Sequence, residues 1–100
     1  MKIAFFEATQ LEKQYVRKNI KNVKVDFFDK PLNDTTVSLA KGYDVISVFI
    51  YSRITKDVLK LLPKLKFIAA RSTGFDHIDI KECNKKKILV ANVPSYGENT

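Results

Sequence analysis

The sequence of 100 residues has very little of three residue types that often carry structure or chemistry: one cysteine, one histidine and no tryptophan. The single cysteine, Cys83, excludes an intramolecular disulfide framework and a zinc site built mainly from cysteines of this chain. The longest nearly continuous apolar run, residues 45–51, is too short to span a bilayer. Glu7 follows the apolar start at once, which leaves no signal-peptide core. We therefore expect a soluble cytoplasmic protein with no membrane partner.

The chain has an excess of positive charge, with 18 basic and 11 acidic residues and a net charge of +7. Such a balance is compatible with nucleic-acid binding. Fifteen of the basic residues are lysines spread along the chain, and the one cluster, residues 85–87, falls at the predicted end of a helix. Cations there complement the helix dipole and are typical of a solvated face. We therefore predict that nucleic acid is not a partner.

Short apolar runs alternate with amphipathic stretches, a pattern typical of a βα repeat with a mostly parallel sheet. Residues 45–51 are apolar without alternation, which predicts a central strand covered on both faces. The predicted strands are residues 2–7, 23–28, 45–51, 65–70 and 88–93. The predicted fold is α/β: a flavodoxin-like three-layer sandwich whose five-stranded parallel sheet has the order 2-1-3-4-5.

Each predicted helix begins at a residue whose side chain can cap it. Thr9 and Glu12 have the spacing of a capping box, and a set of apolar residues then recurs at helical spacing: Leu11, Tyr15, Val16 and Ile20. Thr35 or Thr36 begins a short second helix that Gly42 can end. Thr55 begins a third, with Val58, Leu61 and Leu62 on its inner face. Asp79 begins a fourth that reaches about Lys86.

Candidate site residues follow the predicted strands, because ligands of open α/β sheets bind beyond the carboxyl ends of the strands. Gly74 is predicted to turn the backbone sharply after strand four, where adjacent amides can receive an anion such as a carboxylate. An ordinary βα turn is the alternative. Tyr51 and Tyr96 either offer phenols to a small polar ligand or are half-buried aromatic residues.

Two further residues near the same strand end have alternative interpretations. Arg71 either faces a ligand or pairs with Asp76 or Asp79, and the structural pairing is favoured. His77 is either a general base or, as we favour, a structural residue near a helix start. Cys83 is interpreted as a small core residue.

Several functional motifs are missing. The sequence contains no G-x-G-x-x-G, no P-loop and no metal-ligand spacing. A response-regulator receiver is excluded, because the first strand ends in one acidic residue, Glu7, and the third ends in Tyr51 in place of a phospho-accepting aspartate. The sequence therefore predicts no cofactor-binding loop and no metal-binding residue within this chain.

Two segments resemble a known enzyme family. Residues 70–79 resemble the R-x-x-G-x-D-x-I-D segment of the D-isomer-specific 2-hydroxyacid dehydrogenases, and residues 91–96 resemble the family's N-V-P-x-Y segment. The tyrosines at positions 51 and 96 are similar to those of the D-lactate dehydrogenase branch. The resemblance implies that residues 1–100 are the N-terminal portion of a substrate-binding domain, truncated before the Rossmann domain that binds NAD.

The resemblance also implies roles for individual residues. The amides of Thr73 and Gly74 would hold the substrate carboxylate, Tyr51 and Tyr96 would line the pocket, and Arg71 would shape its floor. The implied reaction converts a 2-oxo acid to a D-2-hydroxy acid, with pyruvate and D-lactate or close relatives as substrates. The intact enzyme would be a homodimer using NAD, and this chain alone would be inactive, with an uncovered apolar patch. A stand-alone flavodoxin-like binding or interaction module without catalysis is the alternative.

Overall fold

The computed structural model of the protein describes residues 1–92. Its strands form a single parallel sheet in the order β2-β1-β3-β4-β5, as the sequence predicts. The strands are β1 Lys2–Phe5, β2 Lys24–Phe27, β3 Val45–Val48, β4 Phe67–Ala70 and β5 Leu89–Ala91. The carboxyl ends of these parallel strands therefore meet at one edge of the sheet.

The third strand is central, as its unbroken apolar run predicts. Ile46, Ser47 and Val48 are each at most 5% exposed. Because successive side chains of a strand point to opposite faces, their burial means that both faces of the sheet are covered here. The strand ends at Val48, three residues earlier than predicted, because the amide of Phe49 donates to the carboxylate of Glu7 instead of continuing the ladder.

Among residues 1–92, three α-helices connect the strands: α1 Gln10–Asn19, α2 Lys56–Lys60 and α3 Ile80–Lys85. Three of the four predicted caps, Thr9, Thr55 and Asp79, are confirmed. The Thr9 hydroxyl accepts from the Glu12 amide at 3.2 Å, and the Glu12 carboxylate accepts from the Thr9 amide at 2.9 Å. Thr55 and Asp79 cap α2 and α3 through their side-chain oxygens. These caps satisfy amides that have no partner within their helices.

The connection between β2 and β3 differs from the prediction. It contains a single 3-10 turn, Val37–Ala40, and not an α-helix. Thr36 precedes this turn but does not cap it, because its hydroxyl donates to the Pro31 carbonyl at 2.8 Å. Gly42 follows with a φ of +87°, a left-handed conformation that ends the segment.

The prediction that Leu61 lies on the inner face of α2 is wrong. Leu61 is 46% exposed, and Leu59 is fully buried in its place. The amides of Leu61 and Leu62 donate to carbonyls three residues earlier, which tightens the last turn and rotates Leu61 outward. The core prediction for Cys83 is confirmed, since this side chain is fully buried.

The first helix leaves apolar side chains uncovered. Val16 is buried, but Leu11 is 78% exposed and Tyr15 is 70% exposed. Together with Phe5 they line a shallow depression, which we name the α1 surface. The family resemblance implies an uncovered apolar patch but does not place it on this helix. No helix within residues 1–92 is long and apolar enough to cross a membrane.

Candidate functional site

Two segments at the carboxyl edge of the sheet enclose a cleft of about 630 Å³. One follows β3 and the other follows β4, so candidate residues predicted after two different strands come together. A short parallel bridge ties the segments, since the Ile54 amide donates to the His77 carbonyl at 2.9 Å. The lining residues are Phe49, Ile50, Arg53, Arg71, Ser72, Thr73, Gly74, Asp76 and His77.

Thr73 and Gly74 contribute backbone donors to this cleft. Their carbonyls are engaged, one by the Asn92 carboxamide at 2.7 Å and the other by the Ser72 hydroxyl at 3.0 Å. Their amides donate no hydrogen bond to any other residue in the range 1–92. Adjacent amides without a partner are suited to an anion, and two of them match the two oxygens of a carboxylate.

The conformational role predicted for Gly74 is wrong. Gly42 is the one glycine among residues 1–92 with a left-handed φ, so the turn after β4 does not depend on the freedom of glycine. A Cβ built on Gly74 would meet no atom within 4 Å. The absence of a side chain at this position leaves open space in the cleft beside the two unbonded amides.

Arg71 lines the cleft, and each nitrogen of its guanidinium has an acceptor. Its acidic partner in the described chain is Glu12, at 3.0 Å, so the predicted pairing with Asp76 or Asp79 is wrong. The guanidinium also lies 4.1 Å from the centre of the Phe5 ring. Its other acceptors are Ser47 Oγ at 2.8 Å and the carbonyls of Phe6 and Glu7 at 2.8 and 2.9 Å. A cation fixed in this way can shape a pocket without changing its rotamer.

Of the two tyrosines predicted to contact a ligand, Tyr51 and Tyr96, the structure describes only Tyr51. The Tyr51 side chain is 70% exposed and is not among the residues that line the cleft, although its neighbour Ile50 is. Its ring packs edge-on against Phe49, with 6.3 Å between ring centres. Tyr96 lies outside the described residues. The predicted contacts of both phenols with a ligand remain predictions.

His77 is the most isolated polar group of the cleft. It is 8% exposed, and its Nε2 finds no hydrogen-bond partner among residues 1–92. Burial lowers the pKa of His77, an effect that nearby Arg53 reinforces and that Glu7 and Asp76 oppose. Burial therefore favours the neutral imidazole, and the sequence favoured a structural role for this residue over that of a general base.

The structure gives Arg53 and Glu7 roles that were not predicted for either residue from the sequence. Arg53 lines the cleft, and its Nη1 donates to the carbonyls of Ile50 and Ser52 at 3.1 and 3.0 Å. Glu7 has a left-handed φ of 55°, and its carboxylate accepts from the segment after β3. The only indication of Glu7 in the sequence is its position at a strand end, because the residues that donate to its carboxylate are more than 40 residues away.

Comparison with known proteins assigns the family. The model of the D-isomer specific 2-hydroxyacid dehydrogenase catalytic domain matches residues 3–100. The 2-hydroxyacid dehydrogenase homolog 1 of Schizosaccharomyces pombe is 38% identical over 97% of this chain. The chain therefore belongs to the D-isomer specific 2-hydroxyacid dehydrogenases, as the two sequence motifs indicated.

Solved structures of the family share the fold. The apo-structure of D-lactate dehydrogenase from Escherichia coli superimposes with a TM-score of 0.86 and 27% identity, covering 95% of this chain and 31% of that one. D-Lactate dehydrogenase from Aquifex aeolicus, complexed with NAD and lactic acid, gives a TM-score of 0.84 and 32% identity, covering 94% and 28%. The chain spans about 30% of the length of the curated relatives it matches.

Proposed function

We propose that this chain is the N-terminal portion of the substrate-binding domain of an NAD-dependent D-2-hydroxyacid dehydrogenase. The proposed reaction reduces a 2-oxo acid, pyruvate or a close relative, to the D-2-hydroxy acid. The observation that carries the proposal is the pair of unbonded amides of Thr73 and Gly74 in a cleft at the carboxyl edge of the sheet. The relatives described as D-lactate dehydrogenases support the substrate class.

The chain's own residues bind and orient the substrate in this proposal. The two amides hold the carboxylate, and Arg71 forms the fixed floor beneath it. The exposed phenol of Tyr51 is available to the substrate, and Tyr96 is assigned to the same pocket on the family resemblance alone. The residues that transfer the proton and the hydride are assigned to another part of the polypeptide, as the family resemblance implies.

NAD does not fit the residues of this chain. A dinucleotide needs a glycine-rich loop at a helix N-terminus for its pyrophosphate, and the three glycines of the sequence are far apart. NAD in the Aquifex aeolicus complex supports NAD as the cofactor of the complete enzyme. We assign its binding to a region beyond residue 100, and we propose that the complete enzyme is a cytoplasmic homodimer.

The test is an assay of the complete polypeptide that carries this chain. NADH oxidation is followed with pyruvate and a series of longer 2-oxo acids, and the product is resolved by chiral chromatography. We expect turnover with the D-2-hydroxy acid as product, and no turnover by residues 1–100 alone. A folded polypeptide that turns over none of these acids, or that makes the L-product, contradicts the proposal. A reading frame that stops at Thr100 would instead support the stand-alone binding module.

A further inference from the structure

Glu7 lies where four separate segments of the chain meet at the carboxyl edge of the sheet. Its amide donates to the Lys30 carbonyl at 3.0 Å, and its carbonyl accepts from Arg71 at 2.9 Å. Its carboxylate accepts from the segment after β3. These contacts hold Glu7 in a left-handed backbone conformation that an unbranched L-residue adopts rarely and at a cost.

The two carboxylate oxygens of Glu7 have different partners. Oε2 accepts from the Phe49 amide at 2.9 Å and from the hydroxyl of fully buried Ser52 at 2.5 Å. Oε1 accepts from the Tyr51 amide at 3.1 Å. Three donors on one carboxylate fix the path of residues 49–52, which carry one wall of the cleft.

Ser52 extends this network in one further direction. Its hydroxyl accepts from the Leu32 amide at 2.9 Å, so the hydroxyl hydrogen is committed to Glu7. The amides of Phe49 and Tyr51 therefore bind the two carboxylate oxygens, and the Leu32 amide binds the serine oxygen. The amides of residues 49 and 51 therefore lose their acceptor when the carboxylate is removed or shortened.

We propose that Glu7 is a positioning residue for substrate: its carboxylate fixes the backbone of Tyr51 and thereby places the Tyr51 phenol at the rim of the cleft. The role of the phenol rests on the proposed function. The contact of Glu7 with the Tyr51 backbone is independent of the proposed function. An experiment can therefore refute the backbone contact and the role of the phenol separately.

Replacement of Glu7 by glutamine makes a specific prediction, because glutamine keeps one acceptor oxygen and gains a donor. The oxygen is expected to remain at the Oε2 position, where two donors converge, which places the NH2 group against the Tyr51 amide. Amide hydrogen exchange measured by NMR on this chain should then be at least about tenfold faster at Tyr51 in Glu7→Gln, with a smaller change at Phe49. The exchange of core amides such as Ile68 should be unchanged.

Steady-state kinetics on the complete polypeptide test the consequence for substrate. Glu7→Gln should raise KM for the 2-oxo acid roughly 3- to 10-fold and leave KM for NADH within about twofold. In a Tyr51→Phe background the same change should have no further effect, because the phenol it positions is already lost. Glu7→Asp keeps the charge but is one methylene shorter, so it should also raise KM.

The matched control is Glu82→Gln, the same chemical change on α3, away from the residues that line the cleft. It should leave both the Tyr51 exchange rate and KM unchanged. Unaltered exchange at Tyr51 in Glu7→Gln overturns the proposal, as does an equal effect of Glu7→Gln with and without the Tyr51 phenol. A silent Glu7→Asp would assign the effect to charge and also overturn it. A wild-type enzyme without 2-oxo acid turnover refutes the proposed function, and the exchange measurement still decides the backbone contact.

Discussion

At the scale of single residues, the two described glycines serve opposite purposes. Gly42 has a φ of +87° and is required for the backbone, whereas Gly74 has an ordinary φ and is surrounded by open space. An added methyl group therefore strains the fold at Gly42 and only fills the cleft at Gly74. This difference separates folding from binding in one pair of variants.

Gly74→Ala is expected to change the free energy of unfolding by less than about 0.5 kcal/mol, as for a substitution that meets no neighbour. It should weaken 2-oxo acid binding roughly tenfold, or about 1.4 kcal/mol, because the methyl group occupies space beside the amides that receive the carboxylate. Urea unfolding of this chain and KM of the complete polypeptide are the measurements. Gly42→Ala should give the reverse: a loss of about 1–2 kcal/mol of stability with KM unchanged. Equal effects of the two variants on KM would refute this assignment.

His77 predicts a pH dependence of stability. Because burial lowers its pKa in the folded protein below the usual 6.5, the unfolded chain binds more protons between the two values. The stability that the neutral imidazole contributes is complete above the pKa of His77 in the unfolded chain. It is lost as the pH falls through the pKa of His77 in the folded protein. Urea unfolding from about pH 7.5 to about pH 5 should show a decline of up to about 1.4 kcal/mol per pH unit that is absent in His77→Gln. Superimposable curves for the two proteins would exclude His77 as the source.

At the scale of elements, local signals were predictable and long-range contacts were not. The caps Thr9, Thr55 and Asp79 were found correctly because a cap and its partner are three residues apart. The end of β3 was misplaced because Glu7, more than 40 residues away, supplies the acceptor for Phe49. The strand order followed from the apolar pattern and the usual connection rules. The position of the cleft followed as well, whereas Arg71 was given the wrong acidic partner.

The end of α3 offers a test of local conformation. Lys87 has a φ of 61°, its amide donates to the Asn84 carbonyl at 3.2 Å, and the Ile88 amide donates to the Cys83 carbonyl at 2.9 Å. This pair of bonds is the Schellman motif, in which glycine is preferred at the left-handed position.

Lys87→Gly should therefore stabilise the chain by about 1 kcal/mol and raise Tm by about 4–8 °C. Lys86→Gly is the matched control, since it removes the same charge one residue earlier, where φ is −90°. The control should be destabilising by up to about 1 kcal/mol, because glycine has more conformational freedom in the unfolded chain. Thermal unfolding followed by circular dichroism compares the two variants. A lower Tm for Lys87→Gly than for wild type would show that the left-handed strain is not what limits this position.

At the scale of the whole molecule, the sheet is covered on both faces at its centre while the α1 surface remains open to solvent. A chain of this length buries a limited fraction of its apolar surface and has little stability in reserve. Apolar side chains as exposed as Leu11 and Tyr15 are a driving force for association with a second surface. The molecule is therefore expected to self-associate through α1 when it is studied as residues 1–100.

Replacing both apolar residues, Leu11→Gln with Tyr15→Gln, should remove this association. Both side chains are mostly exposed, so the free energy of unfolding should stay within about 0.5 kcal/mol of wild type. The loss of two apolar contacts from an interface should weaken the association constant by roughly tenfold or more. Sedimentation velocity over a range of concentrations measures the constant, and Lys18→Gln, an exposed substitution on the same helix that removes charge but no apolar area, is the control. A surface formed by Leu11 and Tyr15 must lose affinity when both side chains are replaced. If the double variant and the control associate equally, the contact between molecules therefore lies elsewhere.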